Sequence, residues 1–214
     1  GGGVLVPHES YLPKVEEICK KRGVLLIIDE VICGFGRTGE KFGFQNYGIK
    51  PDIITMAKGI TSGYLPLGVT AVRKEIYDVF KGSSDYEHFR HVSTFGGNPA
   101  ACAVALENLE IYERENLIES SREKGDLLRE KLAPLYKHPY VGDIRGKGLL
   151  VGIELVKDRK TKEPVDVSVV NSIIKKCREA GLIIGKNGDT VAGFNNILTI
   201  SPPLIITEQA VVLI

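Results

Sequence analysis

The sequence predicts an α/β protein in which short buried strands alternate with amphipathic helices. Residues 10–22 carry apolar side chains at helical spacing, and residues 24–29 follow as a continuous apolar run that ends in Asp29. A second short apolar run covers residues 52–56. Runs of this kind are typical of parallel strands that are covered on both faces. Their alternation with helices favours an α/β layer architecture.

The first helix has start and stop signals at both ends. Ser10 is a candidate N-cap, and Gly23 is suited to end the helix. Its apolar face consists of Leu12, Val15, Ile18 and Cys19. The sequence therefore predicts a helix over 10–22 that leads directly into the strand at 24–29.

Two glycine-rich loops follow the first two predicted strands. Residues 33–48 form a long loop, and loops of that length tend to be functional. Residues 58–68 form a second loop around Pro66, which leads to a third strand at 69–72. Asn98 is a good N-cap and Pro99 suits the first helical position, so a helix is expected from Pro99 to about Tyr112.

The second half of the sequence predicts a different arrangement of helices and strands. After a helix at 117–133, the sequence predicts strands within 140–156, a helix at 166–180, short strands at 182–185 and 197–201, and a helix start at Thr207-Glu208. We therefore expect residues 1–115 to be the C-terminal half of a large domain. Residues 116–214 are expected to form a smaller α+β domain that is truncated at its end.

Composition excludes several functional classes. Lys and Arg number 28 against 27 Asp and Glu, so the net charge of +1 gives no reason to expect a nucleic-acid or membrane partner. The four cysteines form no C-x-x-C pair, which favours free thiols in the reducing cytoplasm. His88 and His91 lack further ligands nearby in sequence, so no metal site is predicted. The apolar stretch at Val211–Ile214 simply stops, and we expect a fragment of a longer protein.

Asp29 and Lys58 carry the chemistry. Each follows a buried apolar run, and the carboxyl ends of neighbouring strands are where open α/β sheets bind ligands. An amine and a carboxylate in one crevice suit pyridoxal phosphate, because this cofactor needs an amine to bond to and an acid to hold its ring nitrogen protonated. We expect Lys58 to lie in a poorly hydrated pocket, where an amine is more nucleophilic. The glycines after it would let the backbone approach a planar ligand.

Other interpretations remain open from the residues alone. Asp29-Glu30 after an apolar run also resembles the magnesium-binding strand of nucleotide hydrolases, although the G-x-x-x-x-G-K-[ST] loop that they need is not found in this chain. A non-catalytic α/β domain is a second alternative. Ser93-Thr94, next to Gly96-Gly97 and a helix start, can bind a phosphate or simply cap the helix.

Five ordered segments resemble the class III pyridoxal-phosphate aminotransferases. They are Gly23-x-Leu25-Leu26-Ile27-x-Asp29-Glu30-Val31, Gly34-Phe35-Gly36-Arg37-Thr38-Gly39, Pro51-Asp52-Ile53-Ile54-Thr55-x-Ala57-Lys58, Leu65-Pro66-Leu67-Gly68 and Thr94-Phe95-Gly96-Gly97-Asn98-Pro99. The resemblance covers nearly the whole chain. It implies the fold type I architecture, with a large, mainly parallel α/β domain and a smaller C-terminal α+β domain.

The resemblance also implies roles for individual residues. Lys58 would form a Schiff base with the cofactor and move the substrate proton, while Asp29 would pair with the pyridinium nitrogen. Val31 would pack on one face of the ring. Thr94, with Ser93 beside it, would hold the phosphate of the neighbouring subunit's cofactor, which implies a homodimer with shared sites. A cytoplasmic location is expected as well. Arg37 would shape the site or the interface, and Arg145 would be structural.

The substrate class depends on how the keto-acid carboxylate is bound. Many relatives bind the keto-acid carboxylate with an arginine before the last strand of the small domain, but residues 185–196 contain none. Lys186 is a substitute without the forked geometry of guanidinium. This stretch is similar to members that transfer the amino group of β-alanine or taurine to pyruvate. The diaminopelargonate, γ-aminobutyrate and ornithine branches remain open. Since the resemblance places a phosphate cradle and a ring-stacking aromatic upstream, we expect the 214-residue chain alone to be inactive.

Overall fold

The computed structural model describes residues 2–188 and 190–214, so Gly1 and Asp189 lie outside the described residues. Contacts divide the chain into two compact units. We call residues 8–35 and 40–116 the lysine unit, because it contains Lys58. The hairpin unit comprises the residues up to Pro7, Gly36–Gly39 and Leu117–Ile214. Both units combine helices with a sheet, and the predicted α/β class is confirmed. The boundary of the complete protein's domains at residue 115 stays a prediction.

The lysine unit contains a three-stranded sheet and three α-helices. Its elements are α1 (Tyr11–Arg22), β1 (Ile27–Asp29), β2 (Ile53–Met56), β3 (Val69–Val72), α2 (Lys74–Asp78) and α3 (Pro99–Arg114). Short 3₁₀ turns cover Gly43–Tyr47, Lys58–Thr61, Val79–Lys81 and Asp85–Glu87. The positions of β2, β3 and α3 agree with the sequence prediction, whereas α2 was not predicted.

The sheet of the lysine unit has the order β1-β2-β3. β1 and β2 are parallel, with Asp29 opposite Thr55. β3 runs antiparallel to β2, from Met56 opposite Val69 to Ile53 opposite Val72. A parallel crossover usually needs a helix, and the connection over 57–68 contains a single 3₁₀ turn instead. The chain therefore returns beside β2 in the opposite direction.

Two predictions about the start of the lysine unit are corrected by the structure. Ser10 occupies the N-cap position of α1 without a side-chain cap bond, because its hydroxyl lies 3.0 Å from Nδ1 of His8. The strand predicted at 24–29 is shorter, and it is not covered on both faces in this chain, since Ile27 is 57% exposed. Leu26 is buried, and its N–H donates to Oδ2 of Asp52 at 2.8 Å. Gly23 ends α1 as predicted, with φ +66°.

The hairpin unit is built on a four-stranded antiparallel sheet. Its elements are α4 (Leu117–Leu132), β4 (Val141–Lys147), β5 (Leu150–Leu155), α5 (Val167–Glu179), β6 (Gly185–Lys186), β7 (Ile197–Ile200) and α6 (Glu208–Leu213). The strand order is β4-β5-β7-β6. The strand predicted at 182–185 is displaced, because pairing with β7 involves Gly185 and Lys186 while Ile183 is 83% exposed.

The core of the hairpin unit lies between the sheet and its helices. Leu128 of α4 and Val151 of β5 are fully buried. α4 packs closely on the β4–β5 turn at Gly125, where an added Cβ would lie 2.2 Å from the Gly148 carbonyl oxygen. Arg145 binds Asp143 and Glu154 as well as the carbonyls of Gly3 and Val4. These contacts agree with the structural role expected for Arg145.

Within residues 2–188 and 190–214, the helices are too short or too polar to cross a bilayer.

Candidate active site

The structure places Asp29 and Lys58 at the same edge of the sheet. Asp29 is the last residue of β1 and lies opposite Thr55 in the neighbouring parallel strand. Lys58 begins the 3₁₀ turn that follows β2, three residues after Thr55. Paired strands lie about 4.8 Å apart, and three residues span at most about 10 Å. The two Cα atoms are therefore at most about 15 Å apart, at the carboxyl ends of parallel strands.

The carboxylate of Asp29 is exposed, and one of its two oxygens is hydrogen-bonded to the backbone. Its Oδ1 accepts a hydrogen bond from the Val31 N–H at 2.9 Å. Among the described residues, Oδ2 has no hydrogen-bond partner. The turn after β1 thus fixes the orientation of the carboxylate and leaves one oxygen available to a cationic N–H. The same hydrogen bond places Val31 directly beside the acid.

Glu30, the residue after Asp29, has a different environment. It is 1% exposed, and its two carboxylate oxygens accept the N–H groups of Gly43 and Phe44, both at 2.8 Å. Burial raises the pKa of Glu30, whereas these two hydrogen bonds lower it. Glu30 therefore ties the long 33–48 loop to the end of β1. Since both oxygens accept backbone N–H groups, Glu30 has a structural contact where the magnesium hypothesis needs a metal ligand.

The turn that carries Lys58 has an unusual backbone. Lys58 has φ +47°, in the left-handed region that non-glycine residues rarely adopt. Its side chain is exposed, so the predicted poorly hydrated pocket is not present in this chain. The backbone at Gly59 was expected to approach a planar ligand closely. In the structure it approaches Phe35, because an added Cβ at Gly59 would lie 3.0 Å from Cβ of Phe35.

Asn108 and Tyr112 of α3 contact this turn, and neither was predicted from the sequence as a site residue. Asn108 Nδ2 donates to the carbonyls of Gly59 and Ile60, and the Tyr112 hydroxyl donates to Gly59. Their separation from the turn along the chain leaves no local sequence signal. Only their four-residue spacing indicates that they share a helix face.

Ser93 and Thr94 lie in the exposed turn before α3. The Ser93 carbonyl accepts the Gly96 N–H at 3.0 Å. The helix cap itself is Asn98, as predicted, and its Oδ1 accepts from Ala100 and Ala101. The hydroxyls of Ser93 and Thr94 are therefore not needed to cap α3. The structure does not join these two residues to Asp29 and Lys58 by any hydrogen bond among the described residues.

Three other residues considered from the sequence have partners elsewhere. Arg37 belongs to the hairpin unit, and its Nη1 donates to the carbonyls of Leu149 and Pro202 at 3.1 and 2.6 Å. Lys186 lies in β6 opposite Leu198. His88 Nε2 lies 3.0 Å from the Gly82 carbonyl oxygen. Across the described part of the chain, no group of three or more His, Cys, Asp or Glu side chains is arranged to hold a metal.

The chain is similar to known aminotransferases over nearly its whole length. The family model described as Aminotransferase class-III matches residues 1–213. An uncharacterised aminotransferase of Bacillus subtilis (strain 168), YhxA, is 62% identical over 209 residues, which are 98% of this chain and 46% of the relative. A taurine–pyruvate aminotransferase of Bilophila wadsworthia is 50% identical over 97% of this chain and 46% of the relative.

The solved structures give the same assignment. The crystal structure of a Bacillus anthracis aminotransferase matches with a TM-score of 0.96 and 61% identity, over 99% of this chain and 47% of that one. The chain thus spans about half the length of the relatives that it matches. An acid and a lysine at one sheet edge, with these matches, lead to one conclusion: the chain belongs to the class III aminotransferases.

Proposed function

We propose that the complete protein is a pyridoxal-phosphate-dependent aminotransferase. It would move an amino group from an ω-amino acid or amine to a keto acid such as pyruvate. The observation that carries the proposal is the placement of Asp29 and Lys58 at the carboxyl ends of two adjacent parallel strands. The family of the chain supports the same chemistry.

The side chains present suit pyridoxal phosphate. The exposed Lys58 supplies an amine that can be attached covalently to an aldehyde. The second oxygen of Asp29 can accept a hydrogen bond from a protonated ring nitrogen, and Val31, whose N–H binds the first oxygen, is an apolar residue in the same turn. When bound, this cofactor withdraws electrons from the carbon that bears the amino group.

Two residues then do the acid–base work. The Asp29 carboxylate would hold the proton on the ring nitrogen, because a carboxylate stabilises an adjacent cation. The Lys58 amine would be the base that takes the proton from the substrate carbon and the acid that returns it. Glu30 keeps the loop after β1 in place through Gly43 and Phe44 and contacts no reacting atom.

Ser93 and Thr94 are proposed to bind the cofactor phosphate of a neighbouring subunit. Asn98, which follows them, is about 15 Å along α3 from Asn108, the residue that contacts the Lys58 turn. The segment before α3 is also exposed and apolar: Tyr86, Phe89, Val92 and Phe95 are 97%, 65%, 86% and 81% exposed. Exposed apolar patches of this kind often mark protein interfaces. The distance separates Ser93 and Thr94 from the Lys58 turn of their own chain, and the apolar patch is suited to contact a second subunit. Both observations support a homodimer with shared sites.

For the substrate, the taurine–pyruvate relative at 50% identity supports ω-amino acids as donors and pyruvate as acceptor. A panel of taurine, β-alanine, putrescine, γ-aminobutyrate and ornithine, each against pyruvate and 2-oxoglutarate, tests this assignment. Turnover restricted to γ-aminobutyrate or ornithine with 2-oxoglutarate would contradict the ω-amino acid:pyruvate proposal.

The experiment that tests the proposed function is borohydride trapping on the complete protein. We expect a visible absorbance band after reconstitution with pyridoxal phosphate and its loss on reduction. Peptide mapping should then locate the reduced cofactor on Lys58. A label on another lysine, or no stable label, would contradict the proposal.

Thr94→Ala is expected to weaken cofactor retention without unfolding the protein. Thr94 is exposed and makes no cap bond to α3, so the cost in stability should be below about 0.5 kcal/mol. Loss of one hydrogen bond to a charged phosphate should raise the dissociation constant of pyridoxal phosphate by roughly 10-fold or more. Equilibrium dialysis measures this constant, and Thr161→Ala, in the hairpin unit, is the control. An unchanged constant would mean that the phosphate lies elsewhere.

A further inference from the structure

The turn that carries Lys58 is held in a conformation that it would not adopt alone. Lys58 begins it with φ +47° and Ser62 ends it with φ +50°. Both are non-glycine residues in the left-handed region, and such geometry persists only where its surroundings impose it. The conformation of the lysine backbone therefore depends on contacts made by neighbouring elements.

Those contacts come from one face of α3. Asn108 Nδ2 donates to the carbonyl oxygens of Gly59 at 2.8 Å and Ile60 at 3.0 Å. The hydroxyl of Tyr112, one helical turn further on, donates to the same Gly59 carbonyl at 3.0 Å. Asn108 Oδ1 in turn accepts the Ser62 hydroxyl at 2.7 Å, which fixes the orientation of the amide. The turn is thus bound at its start, its middle and its end.

Packing restricts the same turn from the other side. Tyr112 is 8% exposed, and its ring stacks on that of Phe35, with centroids 6.5 Å apart and an interplanar angle of 21°. Phe35 also lies against Gly59, since a Cβ added at Gly59 would be 3.0 Å from the Cβ of Phe35. The Tyr112 ring therefore has little freedom to move, and this packing holds its hydroxyl in hydrogen-bonding distance of the Gly59 carbonyl.

We propose that Asn108 and Tyr112 are positioning residues for Lys58. They hold the backbone from which its amine is presented and touch neither cofactor nor substrate. This inference rests on the proposed function, because it assigns these residues to the same site. Loosening the turn should spread the amine over several orientations. Proton transfer at the substrate carbon should then slow, because it depends on alignment, whereas substrate binding should change little.

Two substitutions remove the donors with little change in shape. Tyr112→Phe deletes one hydroxyl and keeps the ring stacked on Phe35. Asn108→Asp is isosteric and removes both donated hydrogen bonds. Tyr136→Phe is the matched control, since its hydroxyl is bonded in the hairpin unit to Asp143 and Ile144. All three are made in the complete protein, reconstituted with pyridoxal phosphate.

The readouts separate positioning from stability. For Tyr112→Phe we expect kcat to fall roughly 10-fold, the value of one lost hydrogen bond, with KM changed less than about 2-fold. The pH midpoint of the visible absorbance, which reports the environment of the cofactor-bound lysine, should shift in Tyr112→Phe and in Asn108→Asp. Tyr136→Phe should match the wild type in both measurements. If Asn108→Asp does not fold, Tyr112→Phe decides alone.

Each result bears on a different statement. A lower melting temperature with unchanged kcat and unchanged pH midpoint would overturn the positioning role and leave these residues as structural contacts. A wild-type protein in which borohydride labels no lysine would instead refute the proposed function. A wild type labelled at Lys58, with a normal Tyr112→Phe variant, refutes the further inference only.

Discussion

Lys58→Ala in the complete protein should lose most of its transaminase activity. The acid–base contribution of a positioned amine is typically about 10²–10⁴-fold, and the covalent bond to the cofactor is lost as well. Since the side chain is exposed, the substitution should change the free energy of unfolding by less than about 0.5 kcal/mol. Steady-state turnover and thermal denaturation, measured on the same preparation, test both statements.

Two further variants act as controls for this prediction. Lys58→Arg keeps the positive charge but lacks an amine, so it should be as inactive as Lys58→Ala. Lys58→Gly should also be inactive, yet at φ +47° glycine is not strained. Its melting temperature should therefore equal or exceed that of Lys58→Ala. Near-normal turnover in any of the three would be incompatible with the assignment of Lys58.

Asp29→Asn should lower kcat by about 10²–10³-fold, the usual effect of removing one fixed electrostatic partner of the reacting system. The substitution is isosteric, and an asparagine oxygen can still accept the Val31 N–H at this position. The fold and the bound cofactor should therefore be retained. What is lost is the negative charge that keeps a ring nitrogen protonated, so the slow step should be removal of the substrate proton.

Single-turnover kinetics with an amino donor deuterated at the reacting carbon test this account. We expect a larger isotope effect on Asp29→Asn than on the wild type, because proton removal becomes rate-limiting. Asp166→Asn is the control, since Asp166 only caps α5 and asparagine caps equally well. Equal rates for Asp29→Asn and the wild type would exclude a role for Asp29 in catalysis.

Local patterns in the sequence predicted most of the elements. Asn98 before Pro99 fixed the start of α3, and Gly23 the end of α1, because caps depend on residues adjacent in the chain. Thr207 caps α6 in the same way. Apolar runs likewise located β2 and β3. Two of the failures, the cap at Ser10 and the length of β1, have local causes. The Ser10 hydroxyl lies against His8, and residues of the predicted strand are left exposed in this chain.

The sequence alone determined the family, the α/β class and the candidate residues Lys58, Asp29, Val31, Ser93 and Thr94, because short motifs in a fixed order carry that information. Tertiary structure decided which residues surround them. Asp29 and Glu30 together suggested a magnesium-binding pair, but the amides of Gly43 and Phe44 bind both oxygens of Glu30 and give it a structural role. Asn108 and Tyr112 reach the Lys58 turn from far along the chain. Such contacts exist only once helix and sheet have packed, so no local pattern predicts them.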